Sequence, residues 1–363
     1  MIDLFRPYVP EECIKVVSDT LRSRFIGQGP KVDEFEKEFE KLFGVKNAVS
    51  VNSGTSALAT AYDLIGLKEG DEVISTPLTC TATNLELLRK GCKIVWADIL
   101  EDTLCIDPID VRSKITENTK AIVQVHLGGI KADVGMIHTV DSDGLPQKIP
   151  VVSDAAQALG IFTGDFTCCS FQAIKHITTA DGGMIVCSTS EQAKKAKLLR
   201  WFGIDREKKI ASNWQAYTER QMTFDIEELG TKRHLTDVAA SMGIIGLSHY
   251  IEVISYRRKL FDLYVSLLSD VEGIKIVDGQ ENTYWLFTIL VQRRDDFAKK
   301  MYEAEIDTNV VQVRNDIYKK FGGQRTDLPI MNKVEHEYLS LPLGMHVTEE
   351  NVHYICSVIK SGW

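Results

Sequence analysis

The chain has 363 residues, 44% of them hydrophobic and 26% charged, with a net charge of −9 and eight cysteines. That length predicts two domains with a sizeable core, and the acidity argues against a nucleic-acid-binding protein, which carries a basic footprint. The absence of a run of about 18 apolar residues predicts no membrane span. The start shows no signal-peptide pattern, and scattered cysteines without zinc spacing predict no metal site and a reducing cytoplasm.

Short apolar runs alternate with amphipathic ones through the first half of the chain. Strands are predicted at Ala48–Val51, Glu72–Thr76, Lys93–Ala97, Ala121–Val125, Val151–Ser153, Cys168–Ser170 and Met184–Cys187. Helical patterns at Ser56–Leu67 and Asn84–Lys90 fall between them. Strands separated by helices imply parallel crossover units, hence a doubly wound α/β sheet. Phe202–Gly230 reads as a polar, aromatic connection, Thr236–Leu268 as a long helix and Trp285–Val291 as a strand in a mixed tail. The expected division is a large α/β domain over 1–245 and a smaller α+β domain over 246–363, with the extreme N-terminus free to pack elsewhere.

Three segments carry chemistry. Asn52–Leu58 (NSGTSAL) joins a strand to a helix. There a glycine allows close backbone approach and the free N–H groups of a helix start can bind an anion. Asp154 directly follows a strand, at the end where open α/β sheets bind ligands. Lys175, in Ser170–His176 (SFQAIKH), is flanked by Ile174 and Ile177. Burial would lower its pKa and leave an amine able to condense with an aldehyde. Taken singly, a helix cap at Asn52–Leu58, a surface lysine and a packing histidine at His176 are the commoner readings, and for Asp154 a helix cap is as common as a functional acid. Together they supply a phosphate cradle, a carboxylate for a pyridine nitrogen and an amine for an imine, which is what pyridoxal 5′-phosphate (PLP) requires.

On these motifs the chain resembles the DegT/StrS-type nucleotide-sugar aminotransferases, fold-type I PLP enzymes. The resemblance runs from Gly27–Pro30 (GQGP) and Phe35-Glu36, through Ser53–Leu58, Asp154–Gln157 and Ser170–Lys175, to Leu339–Leu343 (LSLPL). It implies a mainly parallel central sheet flanked by helices, with a smaller C-terminal α+β domain. It also implies that Ser53, Gly54, Thr55 and Ser170 surround the cofactor phosphate, that Asp154 pairs with the ring nitrogen, and that Gln157 lies near the ring hydroxyl. Lys175 would form the Schiff base and move the proton, and His126 would lie near the sugar.

Two positions depart from the family pattern. Cys80 stands where relatives carry an aromatic that stacks on the ring. Lys232 stands where an asparagine reaches the neighbouring subunit's phosphate, which implies a homodimer with shared sites. Arg314 and Tyr318, with Arg22 and Arg24, are candidate contacts to substrate. The implied reactants are a nucleotide-diphosphate keto-sugar and glutamate. Two alternatives are a dehydratase of the same family, which has histidine in place of the lysine, and a non-catalytic PLP-binding regulator. The spacing of five residues from Ser170 to Lys175 favours the aminotransferase over the dehydratase.

Overall fold

The computed structural model describes residues 1–136, 138–140, 146–205 and 225–363, so residues 206–224 of the expected connection lie outside the described residues. The strands, in chain order, are β1 (Ala48–Val51), β2 (Glu72–Ser75), β3 (Lys93–Trp96), β4 (Thr119–Val125), β5 (His138–Val140), β6 (Pro146–Lys148), β7 (Val151–Asp154), β8 (Phe166–Ser170) and β9 (Gly183–Cys187). Seven of them form one sheet in the order β1-β9-β8-β7-β4-β2-β3, and β5 and β6 form a separate antiparallel pair. Neighbours pair in parallel except at β9, which runs antiparallel to β1 and β8. Alternation of strands with helices predicts a parallel strand at Met184–Cys187. It fails there because no helix lies between β8 and β9 to carry a crossover.

Strands β1, β2, β7 and β8 are buried along their whole length, which explains apolar runs without alternation. Edge strand β3 is exposed at Lys93 and partly exposed at Ile94 and Val95. One sheet face packs on helix Gly54–Ile65 through Ala57, Leu58, Ala61 and Tyr62, against Val73, Val123, Val152 and Ile185. The other packs on helix Pro30–Phe43 through Val32, Phe35 and Phe39, with Phe171, Met184 and Leu247.

A second, antiparallel sheet joins β10 (Ile274–Val277), β11 (Phe287–Val291) and β12 (Tyr338–Leu341). The helix Asp237–Leu268 links the two sheets. Its Ala240, Leu247 and Tyr250 lie in the large core and its Leu260, Phe261, Tyr264 and Leu268 in the small one, so residue 245 falls inside an unbroken helix. By length and mean hydropathy this helix could cross a bilayer, a property that the search for uninterrupted apolar runs overlooks. In this fold its buried apolar residues serve the two cores, and its buried set includes Asp237 and Arg257. The extreme N-terminus joins the C-terminal half: Ile2 bridges Ile306, and Leu4 N–H donates to Asp307 Oδ2 at 3.3 Å.

Candidate active site

β1, β7 and β8 run in the same direction, so the segments that leave them meet at one sheet edge. Ser53 caps the helix after β1 by accepting Ser56 N–H at 3.1 Å. The next residue must be glycine, because a Cβ on Gly54 would lie 2.9 Å from Ser170 Cβ at the end of β8. This close approach leaves the helix start, with its free N–H groups, beside Ser170.

Asp154 ends β7 and is 4% exposed. Its Oδ2 accepts from Thr83 Oγ1 at 2.7 Å and its Oδ1 from Ala156 N–H at 3.0 Å. Burial raises its pKa; the Thr83 and Ala156 hydrogen bonds and the Lys175 charge only partly oppose that rise. The site thus holds a buried carboxyl with incomplete countercharge.

Lys175 lies on the loop after β8, where burial lowers its pKa to about 8 against the opposing pull of Asp154 and Cys80. That depression leaves more of the free amine at neutral pH than an ordinary lysine offers. Its Nζ sits 3.9 Å from the centre of the Trp285 ring.

These groups line one cavity of about 560 Å³, together with Thr55, Cys80, Gln157 and Gln172. Gln157 Oε1 accepts Gly128 N–H at 2.7 Å. Cys80 precedes helix Thr81–Arg89 and is the one exposed thiol of the eight. Among the described lining residues Lys175 is the only cation, against three acids, Asp154, Asp181 and Asp307.

Six expected site residues lie apart from this cavity. His126 is fully buried; its Nδ1 accepts Ala132 N–H at 2.9 Å, its Nε2 pairs with Thr163 Oγ1 at 3.1 Å, and burial lowers its pKa to about 3. It therefore shapes the Leu127–Ala132 turn as a neutral ring and has no nitrogen left for a sugar. Arg314 is equally committed: it forks onto Asp316 at 2.7 and 2.6 Å and reaches Glu335 Oε2 at 2.9 Å and Asn332 Oδ1 at 2.6 Å. Tyr318 is exposed and packs near Phe321. Lys232 is exposed beside Arg233, whose carbonyl accepts from Asn52 N–H at 2.7 Å. Arg22 and Arg24 are on the exposed end of the first helix, Arg22 pairing with Asp19.

Sequence reasoning misses Thr83, Trp285, Asp307, Asn309 and Gln312, and the N-terminal pair Leu4 and Phe5. Thr83 had a usable signal, since Thr79 and Thr83 are one helical turn apart after a strand end. The others reach the cavity only through long-range folding.

The model of the DegT/DnrJ/EryC1/StrS aminotransferase family matches residues 7–360. The spore coat polysaccharide biosynthesis protein SpsC of Bacillus subtilis is 30% identical, over 98% of this chain and 95% of its own. GDP-perosamine synthase of Vibrio cholerae is 26% identical over 99% of both. Among solved structures, the sugar aminotransferase CalS13 from Micromonospora echinospora superposes with a TM-score of 0.90 at 30% identity, covering 100% of both chains.

Proposed function

The chain belongs to the DegT/DnrJ/EryC1/StrS aminotransferase family and is a sugar aminotransferase of fold-type I, and from that premise we propose that it transfers an amino group from glutamate to the keto group of a nucleotide-linked sugar, with PLP carried on Lys175. One observation bears most of the weight: a half-buried amine, Lys175, and a buried carboxyl, Asp154, share one cavity at the carboxyl ends of parallel strands. The residues fit the cofactor. Asp154 lacks a full countercharge, which a protonated ring nitrogen would supply, and the tight Gly54–Ser170 approach leaves N–H groups and hydroxyls for a phosphate.

PLP, when bound, supplies an aldehyde for the amine and an electron-accepting ring. Asp154 would hold the proton on the ring nitrogen, and Thr83 and Ala156 N–H fix the carboxyl so that this proton faces a set geometry. Gln157, tied to the Gly128 turn, would bound the ring's edge. Lys175, part amine and part ammonium near neutral pH, can take and return a proton at Nζ. His176 supports this reading over dehydration, because its Nε2 donates to Thr283 O at 2.7 Å and it does not line the cavity.

The scarcity of cations among the described residues around the cavity supports a homodimer with shared sites, in which Lys232 of one copy meets the phosphate held by the other. All eight cysteines are unpaired, which supports a cytoplasmic setting. Borohydride reduction of PLP-loaded protein should fix the cofactor on Lys175, as read by peptide mass. A Lys175→Ala protein that still yields a reducible protein imine sinks the assignment.

A further inference from the structure

Trp285 faces Lys175 from the small-sheet side and is held from four directions. Its Nε1–H donates to Ile174 O at 3.1 Å, the residue before the lysine. Its ring stacks on Phe5, with centroids 5.5 Å apart and planes 27° from parallel. Its carbonyl accepts from Arg257 Nη1 at 3.1 Å, and the same nitrogen reaches Tyr284 O at 3.3 Å and Leu343 O at 3.0 Å. Arg257 is 6% exposed and forms no ion pair with a carboxylate among the described residues, so backbone carbonyls are what it serves. The backbone on either side is stitched to the Gly128–Gly129 turn by Thr283 N–H to Gly129 O and Leu286 N–H to Gly128 O, both 2.9 Å. Gly129 has φ +104°, and a Cβ there would lie 2.9 Å from Trp285 N, so only glycine permits this contact.

Phe5 is held in turn. The N-terminal strap is bound by Ile2 N–H to Glu305 O at 2.7 Å, by Asp307 N–H to Ile2 O at 3.0 Å, and by His346 Nε2–H to Asp3 O at 2.8 Å. Leu4, Phe5 and Trp285 all line the cavity that contains Lys175. An aromatic ring buried at 1% exposure and fixed so thoroughly presents its face to an amine rather than merely filling space.

We propose that Trp285 is the positioning residue for Lys175, holding its Nζ over the indole face, and that Phe5 braces Trp285 so that the N-terminal strap takes part in the active site. A ring face attracts an ammonium through its quadrupole, by an amount that grows as water is excluded. The ring therefore offsets part of the desolvation that drives Lys175 toward the neutral amine. The other charged or titratable groups that face or adjoin Lys175 are Asp154 from the end of β7, Cys80 before helix Thr81–Arg89, and the neighbouring His176; Asp181 and Asp307 line the same cavity.

The test reads the lysine itself. Full-length protein freed of small molecules is labelled with a trace amine reagent across about pH 6 to 10, and the Lys175 peptide is quantified by mass. Trp285→Leu, which stays apolar but loses the ring face, should lower the midpoint by about half a unit to one unit. Trp285→Phe should restore most of that loss, and Phe5→Ala should lower the midpoint by roughly a few tenths of a unit. If the leucine variant is poorly folded by circular dichroism, Trp285→Met repeats the test with a longer apolar chain. An unchanged or raised midpoint in a folded Leu or Met variant overturns the role of Trp285, and an unchanged midpoint in Phe5→Ala overturns the brace. The inference takes Lys175 as the reacting amine, but this titration contains no cofactor, so its failure is distinct from failure of the borohydride experiment.

Discussion

The two walls of the cavity are built in opposite ways. One comes from the ends of β1, β7 and β8: Asp154 and Ser170 close their strands, and Ser53–Thr55 and Lys175 follow within a few residues. The other gathers Leu4 and Phe5, Trp285, and the run from Asp307 to Gln312, joined by contacts such as Leu4 to Asp307 across 303 positions. The first wall carries Lys175 and Asp154; the second adds one acid, Asp307, and otherwise bounds the space in front of them. Local geometry thus places the amine and the carboxyl, whereas only the completed fold brings the facing residues to them.

The largest expected effect tests the first wall. Asp154→Asn keeps the shape and its contact with Thr83 but cannot hold a charged ring nitrogen, so turnover should fall by about 10³-fold, on the order of 4 kcal/mol. Cofactor retention, followed by absorbance, should fall much less. Near-normal turnover in a folded Asp154→Asn protein would contradict the assignment.

A second substitution separates architecture from recognition. Arg314→Met removes a buried cation that satisfies Asp316, Glu335 and Asn332, and should destabilise the protein by about 3–5 kcal/mol in denaturant unfolding. Where the variant remains folded, KM for the nucleotide sugar should stay within about threefold of wild type. A large rise in KM without loss of stability would return Arg314 to the substrate site.

The smallest effect concerns what neither wall supplies. Lys232→Ala should weaken PLP retention by about tenfold, the scale of one charge-assisted hydrogen bond. Mixing it with Lys175→Ala should regain one working site per heterodimer, assembled from Lys175 of one chain and Lys232 of the other. Absence of rescue in verified mixed dimers, with both parents defective, would reject the shared site.

The same contrast explains what was legible beforehand. Ala48–Val51 is read to the residue, its C-terminal end marked by the Asn52–Gly54 turn that follows a buried strand. Asp154 and Lys175 are readable because each sits at a fixed offset from such a strand. The antiparallel turn of β9 is not, because an apolar pentapeptide has no direction of its own. Arg314 misleads for a related reason: a lone arginine in a polar loop looks available until Asp316, Glu335 and Asn332 are folded around it. Trp285 reads simply as the start of a β-strand, and nothing local ties it to Phe5 or to the lysine.

The continuous helix Asp237–Leu268 has a consequence for motion. Hinges form where a few loop residues absorb large changes in φ and ψ, yet the link between the large and small cores here is helical through all 32 residues. Bending it midway would break several i to i−4 hydrogen bonds at once. The small lobe is thus coupled to the large one as if by an axle, and a hinge within this link is disfavoured. The N-terminal strap at the cavity's edge is tied to the small lobe by the Ile2–Ile306 bridge, by Leu4 N–H to Asp307, by His346 to Asp3 O and by the Phe5–Trp285 stack, so its release must break all of these contacts.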